Sequence, residues 1–66
     1  MKAKSNQLPL FAIYKKGYHK GNERGKNSHE AIINYIIASD LSSFANDEAF
    51  IKTYLAVPAI KGVHFD

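Results

Sequence analysis

The 66-residue chain contains no cysteine. That excludes disulfide staples and thiolate metal sites, and it removes the usual signature of a small secreted protein. No stretch approaches the roughly 20 consecutive apolar residues of a membrane-spanning helix, so no membrane partner is expected. The start, Met1-Lys2-Ala3-Lys4, has the charge of a secretion signal. The apolar run behind it ends in Lys15-Lys16 without a small-residue cleavage site, and a cytoplasmic protein is expected. Acid is scarce in the first part of the chain. Residues 1–26 carry seven lysines and arginines against Glu23 alone (7 − 1 = +6), whereas residues 27–66 carry two against five acids (2 − 5 = −3). The overall charge of +3 hides this division. Such an asymmetry points to an anionic partner.

What is present suits one small domain spanning 1–66, with 1–7 as a flexible arm. An apolar fraction of 45% and a charged fraction of 23% are those of a globular chain, not of a disordered tail. A chain this short buries only about 60% of its unfolded surface, so its core is small. The run Leu8-Pro9-Leu10-Phe11-Ala12-Ile13-Tyr14 reads as a strand buried on both faces, with Pro9 confined to its start. Gly17, Gly21 and Gly25 then recur every four residues, which suits a hairpin or loop better than a helix. A second strand over Asn22 to Lys26 would have to lie at an edge, because it has no apolar side chain to bury.

Two helices are expected next, over His29–Ala38 and Asp47–Ala56. The first has Asn27 placed as cap with Glu30 three residues on, and the second has Asn46 as cap with Asp47 and Glu48 in its first turn. Ile32, Ile33, Ile36 and Ile37 form the apolar face of one, and Phe50, Ile51, Tyr54 and Leu55 that of the other. The two segments align without gaps, but one pair of amphipathic helices is not a repeat array. Ala31, Tyr35 and Ala38, and Ala49 and Ala56, form narrower strips on the opposite sides. Those strips suit close packing within the monomer, with a homodimer as the alternative. Pro58 stops the second helix, and Val63 to Phe65 reads as a short last strand beside the first. The expected fold is α+β, in the order β-(β)-α-α-β: a two- or three-stranded antiparallel sheet covered on one face by two helices.

The segment from Lys15 to Lys26 holds five basic residues and one acid. Lys15, Lys16, Lys20, Arg24 and Lys26 are the types that contact phosphates, and Tyr18 or His19 would stack on an exposed base. The bland alternative is a solvated hairpin whose lysines serve solubility and block edge-to-edge aggregation. Gly25-Lys26-Asn27-Ser28 is not a phosphate-binding loop of the nucleotide type. Lys20 stands where its first glycine belongs, and Asn27 where Ser or Thr should follow the lysine. His19, His29 and His64 fall in separate elements without metal-ligand spacing, so no metal or other cofactor is expected. Ser28, His29 and Asp40 make a catalytic triad only on paper. Tyr18, His19, Lys20, Glu23, Arg24 and Lys26 supply the residue types of a metal-independent ribonuclease, but a glycine-rich segment holds catalytic groups poorly.

Lys20-Gly21-Asn22-Glu23-Arg24-Gly25-Lys26-Asn27 running into an Ala-Ile helix, with Tyr54-Leu55-Ala56 running on to Gly62-Val63-His64-Phe65, resembles the short accessory proteins of phages and mobile elements. The resemblance implies a stoichiometric binder of a host or viral component, including inhibitors of host defence, and not a metabolic enzyme. It carries over no functional residue. The leading expectation, from the basic segment, is a non-enzymatic protein that binds an acidic macromolecule, nucleic acid first, through Lys15–Lys26. The rival is an inhibitor or adaptor in which the same segment meets an acidic protein surface or an exposed helix face meets a partner.

Overall fold

The computed structural model describes residues 8–66, so the expected arm lies outside the described residues. The elements are β1 (Leu10–Lys15), β2 (Tyr18–Arg24), α1 (Ser28–Ala38), a single 3-10 turn (Ser42–Phe44), α2 (Glu48–Ile51) and β3 (Tyr54–Pro58). The strands form one antiparallel sheet in the order β2-β1-β3, and the helices pack on one face of it. This is the expected α+β domain.

The central position of β1 follows from its composition. Ala12 and Ile13 point to opposite faces of the sheet and both are fully buried. Lys16 (φ 55°) and Gly17 (φ 85°) make the two-residue turn into β2. Positive φ at both positions is the mark of the type I′ turn, whose twist matches that of the strands it joins. The register then slips once, between Ile13 and Tyr14, so that Lys20 stands as the extra residue of a bulge. Strand β2 thus begins four residues earlier than expected, at Tyr18 instead of Asn22, because the turn is as tight as a hairpin allows. It is an edge strand, as its lack of apolar side chains requires.

The start of α1 is built as its sequence implies. Asn27 Oδ1 accepts from the Glu30 amide at 2.9 Å, and Glu30 Oε1 accepts from the Lys26 amide at 2.7 Å. The buried stripe is rotated from the expected one. Ala31, Ile32 and Ile36 are buried and Tyr35 packs against them, while Ile37 is 49% exposed. The cause is Gly25. A Cβ there would sit 2.5 Å from the Ala31 backbone nitrogen, so Gly25 and Ala31 together let the helix rest directly on the end of β2. Of the strip expected on the far side of α1, Ala31 and Tyr35 therefore face the core and only Ala38 is exposed. The helix ends on Asp40 at φ 67°, where the Leu41 amide reaches back to the Ile36 carbonyl at 3.0 Å.

The second helix is where expectation and structure part. It is capped by Asp47, not Asn46, and stops at Ile51 instead of running to Ala56. The Thr53 hydroxyl donates to the Phe50 carbonyl at 2.6 Å and closes the turn. Tyr54 to Pro58 then pair with Lys15 to Phe11. A central strand has two rows of backbone groups to satisfy, and β2 satisfies only one. A segment with Thr53, Tyr54 and Val57 in it, ahead of a proline that favours extended backbone, suits a strand better than a helix. It takes the place expected for Val63–Phe65, and the last residues form turns with one isolated bridge between Lys61 and Phe65.

Replacing Gly25 by alanine is expected to lower the unfolding free energy by about 1–3 kcal/mol, the usual cost of forcing extra volume into a close contact. Here the obstructing atoms are backbone and cannot rotate away. A denaturant titration reads this as a lower midpoint with an unchanged slope; an unchanged midpoint would show that the contact is looser than drawn.

Candidate functional site

Cross-strand partners share a face of the sheet, so the register sorts the candidate residues. Phe11 and Ile13 face the helices, and Lys15 follows them by alternation. Tyr18 and Tyr54 are the partners of Lys15 on either side. A row of ring, cation and ring therefore crosses the sheet at the hairpin end, on the helix side. The Lys15 ammonium lies 4.5 Å from the Phe50 ring centre and 4.6 Å from that of Tyr54, held by the negative faces of both. Phe50 in turn stacks on Phe44 at 4.6 Å, and Tyr54 lies against Tyr35 at 5.9 Å.

Burial raises the Tyr54 phenol above its ordinary range, and Tyr35 adds to the shift, while the positive charge of Lys20 acts in the opposite sense. Tyr18 is 73% exposed, and Lys16, Lys20 and Lys26 are exposed as well.

The opposite face of the hairpin carries Tyr14 and, across from it, His19. Here the C-terminal segment folds back onto the sheet. The His64 carbonyl accepts from Asn22 Nδ2 at 3.0 Å, and His64 Nδ1 accepts from the Ile60 amide at 2.9 Å. With Nδ1 an acceptor, the ring proton is on Nε2, which donates to the Tyr14 oxygen at 3.0 Å. Asn22, donating through its amide nitrogen, accepts through Oδ1 from His19 Nε2 at 2.8 Å. The His19 and His64 rings meet edge to face, 5.2 Å between centres. Two histidines far apart in sequence and unrelated by spacing thus share one cluster. Sequence spacing does not reveal it, because a reversal of the chain after Pro58 brings them together. The cluster clasps residues 60–64 onto the sheet.

The seven candidate residues therefore do not act as one finger. Lys15 is seated among rings, and Arg24 donates to the Leu8 carbonyl at 2.6 Å. His19 belongs to the clasp on the other face. Lys16, Tyr18, Lys20 and Lys26 extend into solvent. The six residues that could serve a ribonuclease are likewise divided. Tyr18 and Glu23, which pair with Lys15 and Phe11, lie on the helix side, whereas His19 and Arg24, which pair with Tyr14 and Leu10, lie on the other. His29 contacts Glu48 at 3.2 Å, the one ion pair among the described residues, and not Ser28 or Asp40. No lysine or arginine among the described residues is matched to a carboxylate. No group of three or more His, Asp or Glu able to hold a metal occurs among them either.

Two measurements check this geometry. His64→Ala should cost about 1–2 kcal/mol and speed hydrogen exchange at the Ile60 amide, with the His64→Ala/Asn22→Ala pair costing less than the sum because both break one clasp. Strict additivity would show two independent contacts.

Tyr54 governs the alkaline limb. Its folded pKa is raised, so its contribution is complete below about 10 and is lost as pH rises through the folded value. Tyr54→Phe should flatten that part of the stability profile, and a profile identical to the parent's would contradict the assignment.

Compared with known proteins, the chain matches no family model and has no significant match among curated proteins or solved structures.

Proposed function

We propose that this protein is a non-enzymatic accessory protein that binds nucleic acid through the β1–β2 hairpin and the residue that follows it. The observation that carries the reading is the set of unmatched cations. Lys16 is in the turn, Lys20 at the bulge and Lys26 ahead of α1, all exposed and none in an ion pair among the described residues. Of the acids, Glu30 and Asp47 cap helices and Glu48 contacts His29, which leaves Glu23 as the one carboxylate of the hairpin itself against its lysines. Unmatched lysines beside exposed rings are the composition of a phosphate-tracking surface. Lys15 and Arg24 contribute charge to it while serving the fold.

A second reading has its own support. Leu55 is 60% and Val63 69% exposed, and among the described residues no strand lies on the outer side of β3. Apolar exposure of this kind suits a protein partner, as in an inhibitor or adaptor.

Electrostatic binding makes the first reading testable in salt. Affinity for a nucleic acid should fall linearly on a log–log plot, each phosphate contact adding about 0.7–0.9 to the slope. The Lys16→Gln/Lys20→Gln/Lys26→Gln variant should reduce the slope by about 2–3 and leave the unfolding midpoint nearly unchanged. Tight capture of a protein partner, with no nucleic-acid shift even at low salt, would sink the first reading and favour the second.

A further inference from the structure

We propose that the row Tyr18–Lys15–Tyr54 takes a single-stranded nucleic acid in preference to a duplex, with a base stacked on Tyr18 and the adjoining phosphate on Lys15. This rests on the nucleic-acid reading and narrows it to one class of ligand.

Three features of the row lead there. Tyr18 is the most exposed of the large hydrophobic side chains described, 73% open, at the tip of a hairpin whose turn contributes Lys16. A ring displayed in that position stabilises nothing in the core, and its face is free to take a base. Lys15, its neighbour across the strands, has its ammonium fixed over Phe50 and Tyr54. Contact with ring faces orients the charge without neutralising it, so it remains available to an anion. The two tyrosines of the row are separated by two strand spacings, about 10 Å.

The open face of Tyr18 decides between ligands. In a duplex the base faces are covered by their neighbours. A strand that lays a base on Tyr18 and the adjoining phosphate on Lys15 must unstack that base, as only a single strand can at little cost. Lys16 follows Lys15 in the turn, and Lys15, Tyr18 and Tyr54 have no carboxylate partner among the described residues. Ring stacking is indifferent to base identity, so either RNA or DNA fits the same surface.

The test is a fluorescence-anisotropy titration of the full chain at low salt against a mixed-sequence single-stranded RNA, the same sequence as DNA, and the matching duplexes. Single strands of one or both kinds should bind at least ten-fold more tightly than their duplexes. Tyr18→Ala should weaken single-strand binding roughly 5- to 100-fold, the range expected for one stacked base, and leave duplex binding alone. Tyr18→Phe, which keeps the ring, should bind as the parent does. Duplex binding as tight as single-strand binding, or a Tyr18→Ala variant with parental affinity, overturns this inference and leaves the nucleic-acid reading standing. No binding to any of the four probes overturns both.

Discussion

A strand in the middle of a sheet must satisfy backbone groups along both edges and cover side chains on both faces, and among the described residues β1 is the element under that obligation. Each other part of the fold answers one of its four demands. The type I′ turn returns β2 to one edge. The second edge takes Tyr54 to Pro58, which explains why α2 is cut to a single turn. Helix α1 covers Ile13, and the clasp around His64 folds the C-terminal segment over the other face, where Ala12 is fully buried. In a chain of 66 residues with no disulfide, there is no second core to compensate if one of these fails.

The same obligation separates the cations. Two basic side chains near β1 have been drawn into the fold, Lys15 by the rings of Phe50 and Tyr54 and Arg24 by the Leu8 carbonyl. The two cases are unlike. Arg24 has one hydrogen bond assigned to holding the chain ahead of β1. Lys15 is positioned by two aromatic faces that do not neutralise its charge, which makes it both a packing element and an oriented charge. A count of basic residues treats these alike, and only the register distinguishes them.

What the sequence reveals follows from how local each signal is. The apolar run of β1, the Asn27–Glu30 cap and the glycine-marked hairpin are short-range features, and each is found close to where its residues imply. The misplaced elements depend on distant partners. Phe50, Ile51, Tyr54 and Leu55 have helical spacing, but Tyr54 and Leu55 lie opposite the second edge of β1, and strand pairing there outweighs about one and a half further turns of helix bonds. Val63 to Phe65 has the alternation of a strand and finds its edge already taken. Ile37 was expected in the core on periodicity alone, whereas the Gly25–Ala31 approach turns the helix past it. For the site, residue types identified the basic segment, but its division between two faces depends on a one-residue bulge that composition does not encode. The meeting of His19 with His64 is a product of topology in the same way.

Solubility and edge protection remain the bland account of the lysines, and the positions in the fold limit how far it reaches. An edge strand is guarded by charges within it, by bulges that twist it and by prolines. On β2 that describes Lys20 at the bulge, and on β3 it describes Pro58. Lys16 is in the turn, which exposes no ladder, and Lys26 follows the strand in a segment already closed by the Glu30 side chain. Neither blocks an edge. Tyr18 adds an apolar ring at the tip, which is the wrong residue for a solubility device. One lysine is thus accounted for by protection of the sheet, while two lysines and an exposed ring beside an oriented ammonium are not. The proposed contact with an anionic ligand uses all four.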